Sequence, residues 1–324
     1  MGITNFDVVQ ANAFIGGDLM TQGQVFFVNP RTGNDGNDGK SPELALKTVR
    51  RAFTLCTAKQ NDVIYLLSAG ASTSADCTDY LSAVLTWNKD NVHLIGVTAP
   101  CRLSQRARIA QLSTATTLVT MVNITAQSCI FKNIQFFQGV ASATAKVDVQ
   151  ITGARNYFEN VHFAGIGHAT QVAASAASCK IDGGSENLFK NCVFGVDTIT
   201  ADNSTQGELW FDGSASRNIF EDCIFTRFIS NAGYVAVTFN DTTAIDRWVL
   251  FKNCLFITCS ANDATAQTNV LGSVASLTQG SVILVGCNIC SPGTAAPWQT
   301  GTQARLKIAN GAANANTGGK FASL

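Results

Sequence analysis

Charge is scarce in this chain: only 14% of its residues are Asp, Glu, Lys or Arg, and 22 basic side chains balance 22 acidic ones. A chain without a basic field has little to attract phosphates, so nucleic-acid and acidic-membrane binding are not expected. It also lacks any run of 18 apolar residues and any charged-then-apolar N-terminal leader. Folding in a cytoplasm, with no membrane span, is therefore expected.

Histidine is rarer still. His93, His162 and His168 are too few and too dispersed for a metal-binding helix motif or a triad, and His162 reads as an outward surface residue. No phosphate-cradling glycine loop and no G-x-S-x-G is present. Only four Trp and four Tyr are available, a thin supply of platforms for stacking sugars.

Cysteine is not scarce, with eleven residues. Cys192, Cys223, Cys254 and Cys287 recur in one slot of a repeat and read as small apolar side chains in a stack. Cys254 with Cys259, and Cys287 with Cys290, resemble halves of a zinc site, but no second pair with ligand spacing follows. Structural thiols are expected, with no metal and no cofactor.

One pattern dominates what is present. Phe131-Lys-Asn-Ile-Gln-Phe136 returns as Phe158-Glu-Asn-Val-His-Phe163, Phe189-Lys-Asn-Cys-Val-Phe194, Phe220-Glu-Asp-Cys-Ile-Phe225 and Phe251-Lys-Asn-Cys-Leu-Phe256. A degenerate copy starts at Leu284, and successive first residues lie 27, 31, 31, 31 and 33 apart. A period of this size marks a stacked solenoid, because one unit cannot bury its apolar face alone. Alternation on both sides of the central residue gives two short strands meeting at a corner. Asn133, Asn160, Asn191, Asp222 and Asn253 occupy that corner, where a left-handed backbone is needed. Their side chains are expected to stack as a ladder at the spacing between strands.

A third strand fits each repeat, as in Val147–Ile151, Cys179–Ile181, Leu209–Phe211 and Val235–Phe239, followed by a polar turn such as Asp182-Gly-Gly or Asp212-Gly-Ser. The chain therefore reads as all-β: a single-stranded parallel β-helix with three strands per rung and rungs of about 30 residues. Parallel crossovers favour the right hand.

Upstream, Phe26–Pro30 reads as a strand and Gly33–Gly39 as a long turn. Ser41-Pro42-Glu43 then signals a helix start, with apolar spacing continuing through Leu55. This strand, the Gly-Asn-Asp-Gly turn, Ser-Pro and a helix reaching Ala52-Phe53 resemble the start of pectate-lyase-like right-handed β-helix proteins. The resemblance covers roughly residues 25–290. It implies an N-terminal capping helix, about 41–56, that closes the open first rung. Family members include secreted enzymes and bacteriophage virion proteins. Residues 1–24 then form an N-terminal arm and 291–324 a C-terminal extension.

Chemistry is sought on the outward positions of the third strand. Asp182 and Asp212 are expected one rung apart, roughly 5 Å, with Trp210, Lys180 and Glu208 near. Paired carboxylates beside an aromatic suit glycoside hydrolysis or cation binding, while Asp-Gly equally makes good turns. The Gly33–Gly39 turn carries oxygen ligands for calcium, or is a plain solvated turn. A lyase of the pectate type needs a carboxylate cluster and a basic proton acceptor, and Lys180 alone is a weak match.

The leading expectation is a non-enzymatic structural protein of a bacteriophage virion, a capsid decoration or cement protein. It is expected as a homotrimer that contacts the major capsid protein through residues 1–24 and the C-terminal extension. The alternatives are a tailspike-like protein that binds or depolymerises host glycan at Trp210, Lys180, Asp182, Asp212 and Glu208, and a cellular pectate-lyase-like enzyme or adhesin.

Overall fold

The computed structural model describes residues 23–68, 77–201, 205–261, 264–292, 298–299 and 304–309. Most of the expected arm (1–24) and much of the expected extension (291–324) lie outside the described residues.

Three parallel sheets run the length of a right-handed parallel β-helix. Sheet A has ten strands, sheet B nine and sheet C seven among the described residues. One rung shows the plan: Tyr157–Glu159 belongs to sheet A, His162–Ala164 to sheet B and Ala177–Asp182 to sheet C. The next rung stacks on it in register, with Phe158 beside Phe189, Phe163 beside Phe194 and Ile181 beside Phe211.

In five consecutive sheet A strands alternation places one phenylalanine inside, and rung stacking turns these into a column. Phe131, Phe158, Phe189, Phe220 and Phe251 have successive ring centroids 5.0, 4.6, 4.6 and 4.8 Å apart. A parallel column of Phe136, Phe163, Phe194, Phe225 and Phe256 lines sheet B, and meets the first nearly edge-on, as at Phe163 and Phe189. Between these columns, Cys192, Cys223, Cys254 and Cys287 point their thiols at the Phe carbonyls of the rung below, with Sγ–O distances of 3.3–3.5 Å. All eleven cysteines are free.

The A-to-B corner is made by residues with positive φ: Asn133 (55°), Asn160 (52°), Asn191 (54°), Asp222 (55°) and Asn253 (53°). At the degenerate copy, Gly286 takes the same conformation at 62°. Asn160 Nδ2 donates to Asn133 Oδ1 at 2.9 Å, whereas Asn191 Oδ1 accepts from Arg102 Nη2 at 2.6 Å. A second ladder, fully buried, runs through Asn156, Asn187 and Asn218 at the C-to-A corner. There the backbone N–H of Asn156 donates to Asn187 Oδ1 (2.9 Å) and that of Asn187 to Asn218 Oδ1 (3.1 Å).

The capping helix is shorter than Ser41-Pro42 suggested, running only Val49–Leu55 with Thr48 as its N-cap. Residues before it are held as an edge instead: Leu46 pairs with Val28, its N–H donating to the Phe27 carbonyl. Asp35 accepts from the N–H groups of Lys47 and Thr48, both at 2.9 Å, and Asp79 from that of Val49 at 2.7 Å. The buried side chains Val49, Ala52 and Phe53 close the first rung, with Phe53 4.3 Å from the Trp87 ring. At the opposite end Trp298 stands edge-on to Phe256, centroids 5.3 Å apart.

Candidate functional site

Outward side chains of sheet C fall in columns because its strands stack in register: Gln150, Lys180, Trp210 and Thr238 in one, with Asp182 beside Asp212 in the next. Lys180 Nζ bridges the two carboxylates, 3.2 Å from Asp182 Oδ2 and 2.9 Å from Asp212 Oδ2. Gln150 Nε2 donates to Asp182 (3.1 Å) and Asn240 Nδ2 to Asp212 (3.1 Å). Four rungs are thus linked by one polar chain. Burial opposes the charge on Lys180, but the hydrogen bonds and charges of Asp212 and Asp182 outweigh it and raise its pKa. Partial burial also works against ionised Asp212, and Lys180 with the Gly213 N–H holds its pKa below the usual value all the same.

All members of this chain but Asp182 line an open groove of about 270 Å³, with Lys146, Gln150, Lys180, Trp210, Asp212 and Asn240 on its walls. Trp210 is only 7% exposed and contributes an edge, not a free platform. Its Nε1 and the hydroxyl of Thr238 have no hydrogen-bond partner among the described residues. The arrangement offers fixed charges of both signs, amide donors and acceptors and one indole edge along a straight track.

Glu208 does not join this group. It lies on the same strand face as Trp210 but is fully buried, its carboxylate bound by Ser178 Oγ (2.5 Å), Tyr234 OH (2.5 Å) and Arg227 Nε. Arg227 in turn donates to the carbonyls of Ile166 and Gly165, at 3.1 and 3.2 Å. This network packs a connecting segment over sheet C and keeps Glu208 out of the groove. His162 is likewise not a surface residue: Ser104 N–H meets its Nδ1 at 3.1 Å, its Nε2 lies 2.8 Å from the Gly195 carbonyl, and burial lowers its pKa to about 4. In the Gly33–Gly39 turn, Asp35, Asn34 and Asp38 direct oxygens at backbone N–H groups of Thr48, Gly36 and Lys40, each at 2.9 Å.

A second groove, about 300 Å³, was not signalled by the repeat. It lies on sheet B, where half-exposed Tyr80 neighbours Arg108, whose guanidinium sits 5.7 Å from the Phe137 ring and donates through Nε to Gln135 at 2.6 Å. The corner residues Asn133, Asn160, Asn191, Asp222 and Asn253 lie away from both grooves, at the A-to-B edge.

No family model matches the sequence, and no curated protein matches it. Solved structures do. Pectate lyase Pel9A superposes with a TM-score of 0.58 at 14% identity, covering 89% of this chain and 68% of the lyase. Pectin methylesterase PemA from Erwinia chrysanthemi gives 0.53 at 14% identity, covering 91% and 92%. A pectin methylesterase in complex with a hexasaccharide gives 0.54 at the same identity and coverage. The expectation of a protein without catalytic activity is overturned here, since these structural neighbours are enzymes. Linear motifs are a weak guide to activity on this fold, because a solenoid assembles its sites across rungs. At 14% identity the likeness carries the architecture and not the neighbours' reactions. The chain has the pectate-lyase-like parallel β-helix fold.

Proposed function

We propose that this protein is a β-helical surface component of a bacteriophage virion that engages host glycan in the groove on sheet C. The observation that carries the reading is the groove: a straight, polar track in which Lys180, Asp212, Gln150 and Asn240 are held in place by one another and by Asp182. Pre-ordered polar groups along a rigid sheet suit an extended polymer of hydroxyls, because little side-chain freedom is lost on binding. The hexasaccharide held by a pectin methylesterase of the same fold supports the same class of ligand. Eleven free thiols fit folding in a reducing host cytoplasm, with later exposure by lysis. Residues 1–24 and 291–324 would tie the body to capsid or tail subunits.

One observation favours a second reading, in which the body decorates the capsid. Lys180 already satisfies both carboxylates, as a purely structural ladder would.

An array of bacterial surface polysaccharides, read for retention and for release of shorter products, separates the two. Wild type is expected to retain at least one glycan, with retention falling about tenfold or more for Lys180→Ala and for Asp212→Asn. Equal retention by all three proteins removes the groove assignment, and no retention at all leaves the decoration reading. Product release that stops in Asp182→Asn with Asp212→Asn would make the carboxylates part of a catalytic centre.

A further inference from the structure

The outer face of sheet A carries two columns set by strand alternation, an apolar one and a charged one. A third, charged column runs along the corner just before these strands, where Arg155, Glu186 and Arg217 have positive φ. The middle column is apolar along its length: Ile130, Tyr157, Leu188, Ile219, Leu250 and Ile283 stack in register and are all half-buried. Parallel sheets usually have both faces covered, and a continuous apolar stripe on an outer face marks an interaction surface.

The flanking columns are charged. On one side run Arg155, Glu186 and Arg217, with Arg155 Nε 2.7 Å and Arg217 Nη2 2.5 Å from the Glu186 carboxylate. On the other run Glu159, Lys190 and Glu221, continued by Lys132 2.9 Å from Glu159 and Lys252 2.7 Å from Glu221. Alternation within a column stabilises neighbouring rungs of one chain, and it leaves the phase between the columns free. That phase is opposite on all three rungs: Arg155 shares a rung with Glu159, Glu186 with Lys190, and Arg217 with Glu221.

From this phase we infer that sheet A is the interface between parallel copies of this chain, related by rotation about an axis parallel to the β-helix. Such a rotation keeps every rung at its own height. It sets the Arg155 side of one copy against the Glu159 side of the next, so all three rungs meet with opposite charge around an apolar seam. An antiparallel copy centred on the same rung sets Arg155 against Arg217 and Glu186 against Glu186, and is repelled.

Native mass spectrometry and sedimentation of the full chain test this. Wild type is expected to form a closed oligomer at micromolar concentration. Glu186→Arg should weaken association by about tenfold or more. Adding Lys190→Glu to it should restore the oligomer, although that pair of changes leaves like charges down both columns within each chain. Within-chain stabilisation predicts the reverse order, so a double variant that dissociates more than Glu186→Arg overturns the proposal. Leu188→Gln with Ile219→Gln, which leaves the charges intact, should give a monomer with an unchanged β-sheet spectrum. A wild-type monomer overturns the proposal too, including one whose sheet A amides resist hydrogen exchange because another segment of the chain covers the stripe.

Discussion

Asp148 sits on the outward side of its sheet C strand, yet it is fully buried and neither carboxylate oxygen completes a hydrogen bond among the described residues. Burial raises its pKa well above the usual value, and the nearby Ala164 backbone offsets only part of that. A raised carboxylate pKa makes the folded state hold a proton that the unfolded chain releases, so stability falls as pH rises above about 4. Asp148→Asn removes that dependence. Urea titrations of the two proteins are expected to show the variant gaining on wild type from pH 4 to pH 8, and a constant difference would mean Asp148 is ionised when folded. Histidine works in the other direction. Burial holds His93 and His162 at about 4, so the unfolded chain takes up protons first as pH drops below about 6.5. The stability they contribute is fully present above that pH and is lost between there and about 4, on the order of 3 kcal/mol per ring. Replacing His162 by Gln should flatten that part of the pH–stability curve, and an unchanged slope would show that the ring is charged when folded.

At the scale of the element, the two asparagine ladders differ in what they do. The outer one is a backbone device: with φ near 54° at Asn191, Asn191→Leu should cost about 1–3 kcal/mol and Asn191→Gly under about 1 kcal/mol. The inner one is a hydrogen-bond device. Asn187 Oδ1 accepts from the Asn156 N–H while Nδ2 reaches the Gly153 carbonyl at 3.2 Å, so Asn187→Leu strands buried polar groups at about 2–4 kcal/mol. Here Asn187→Gly brings no relief, and thermal melts of the four variants would separate the two roles. Only the left-handed corner was legible in the sequence, because Asn between alternating strands states its own conformational reason. Of the side-chain ladder expected there, Asn160 to Asn133 forms, whereas Asn191 turns to Arg102. The inner one carries an equally regular signal, Asn two residues before Phe158, Phe189 and Phe220. A repeat read from the Phe onward cuts that signal in half. Rung alternation also told inward from outward correctly but could not tell outward from exposed. Ser104 folding over His162 and Arg227 reaching Glu208 are contacts between distant segments, and no local period encodes them. The helix start failed for the same reason: Ser41-Pro42 is a sound local signal, and the pairing of Leu46 with the first strand overrides it.

For the whole molecule, the faces of the β-helix differ in chemistry. Sheet A carries the apolar stripe between charged columns, sheet C the polar groove, and a helix and Trp298 stand at the two ends of the core. Stability in such a stack is carried by contacts between neighbouring rungs, so surface changes in the groove leave the fold intact. Lys180→Ala should therefore melt within about 1 kcal/mol of wild type, since the pairs it breaks are partly exposed. A larger loss, seen in the same melts, would mark the polar chain as a structural staple. A cryo-EM reconstruction of the native particle is the sharpest test of the proposed virion surface protein whose sheet C groove meets glycan. Density is expected for parallel β-helices packed through sheet A, with the groove around Lys180, Trp210 and Asp212 open to the outside. A groove buried against shell or tail subunits, or a particle without this chain, would contradict it.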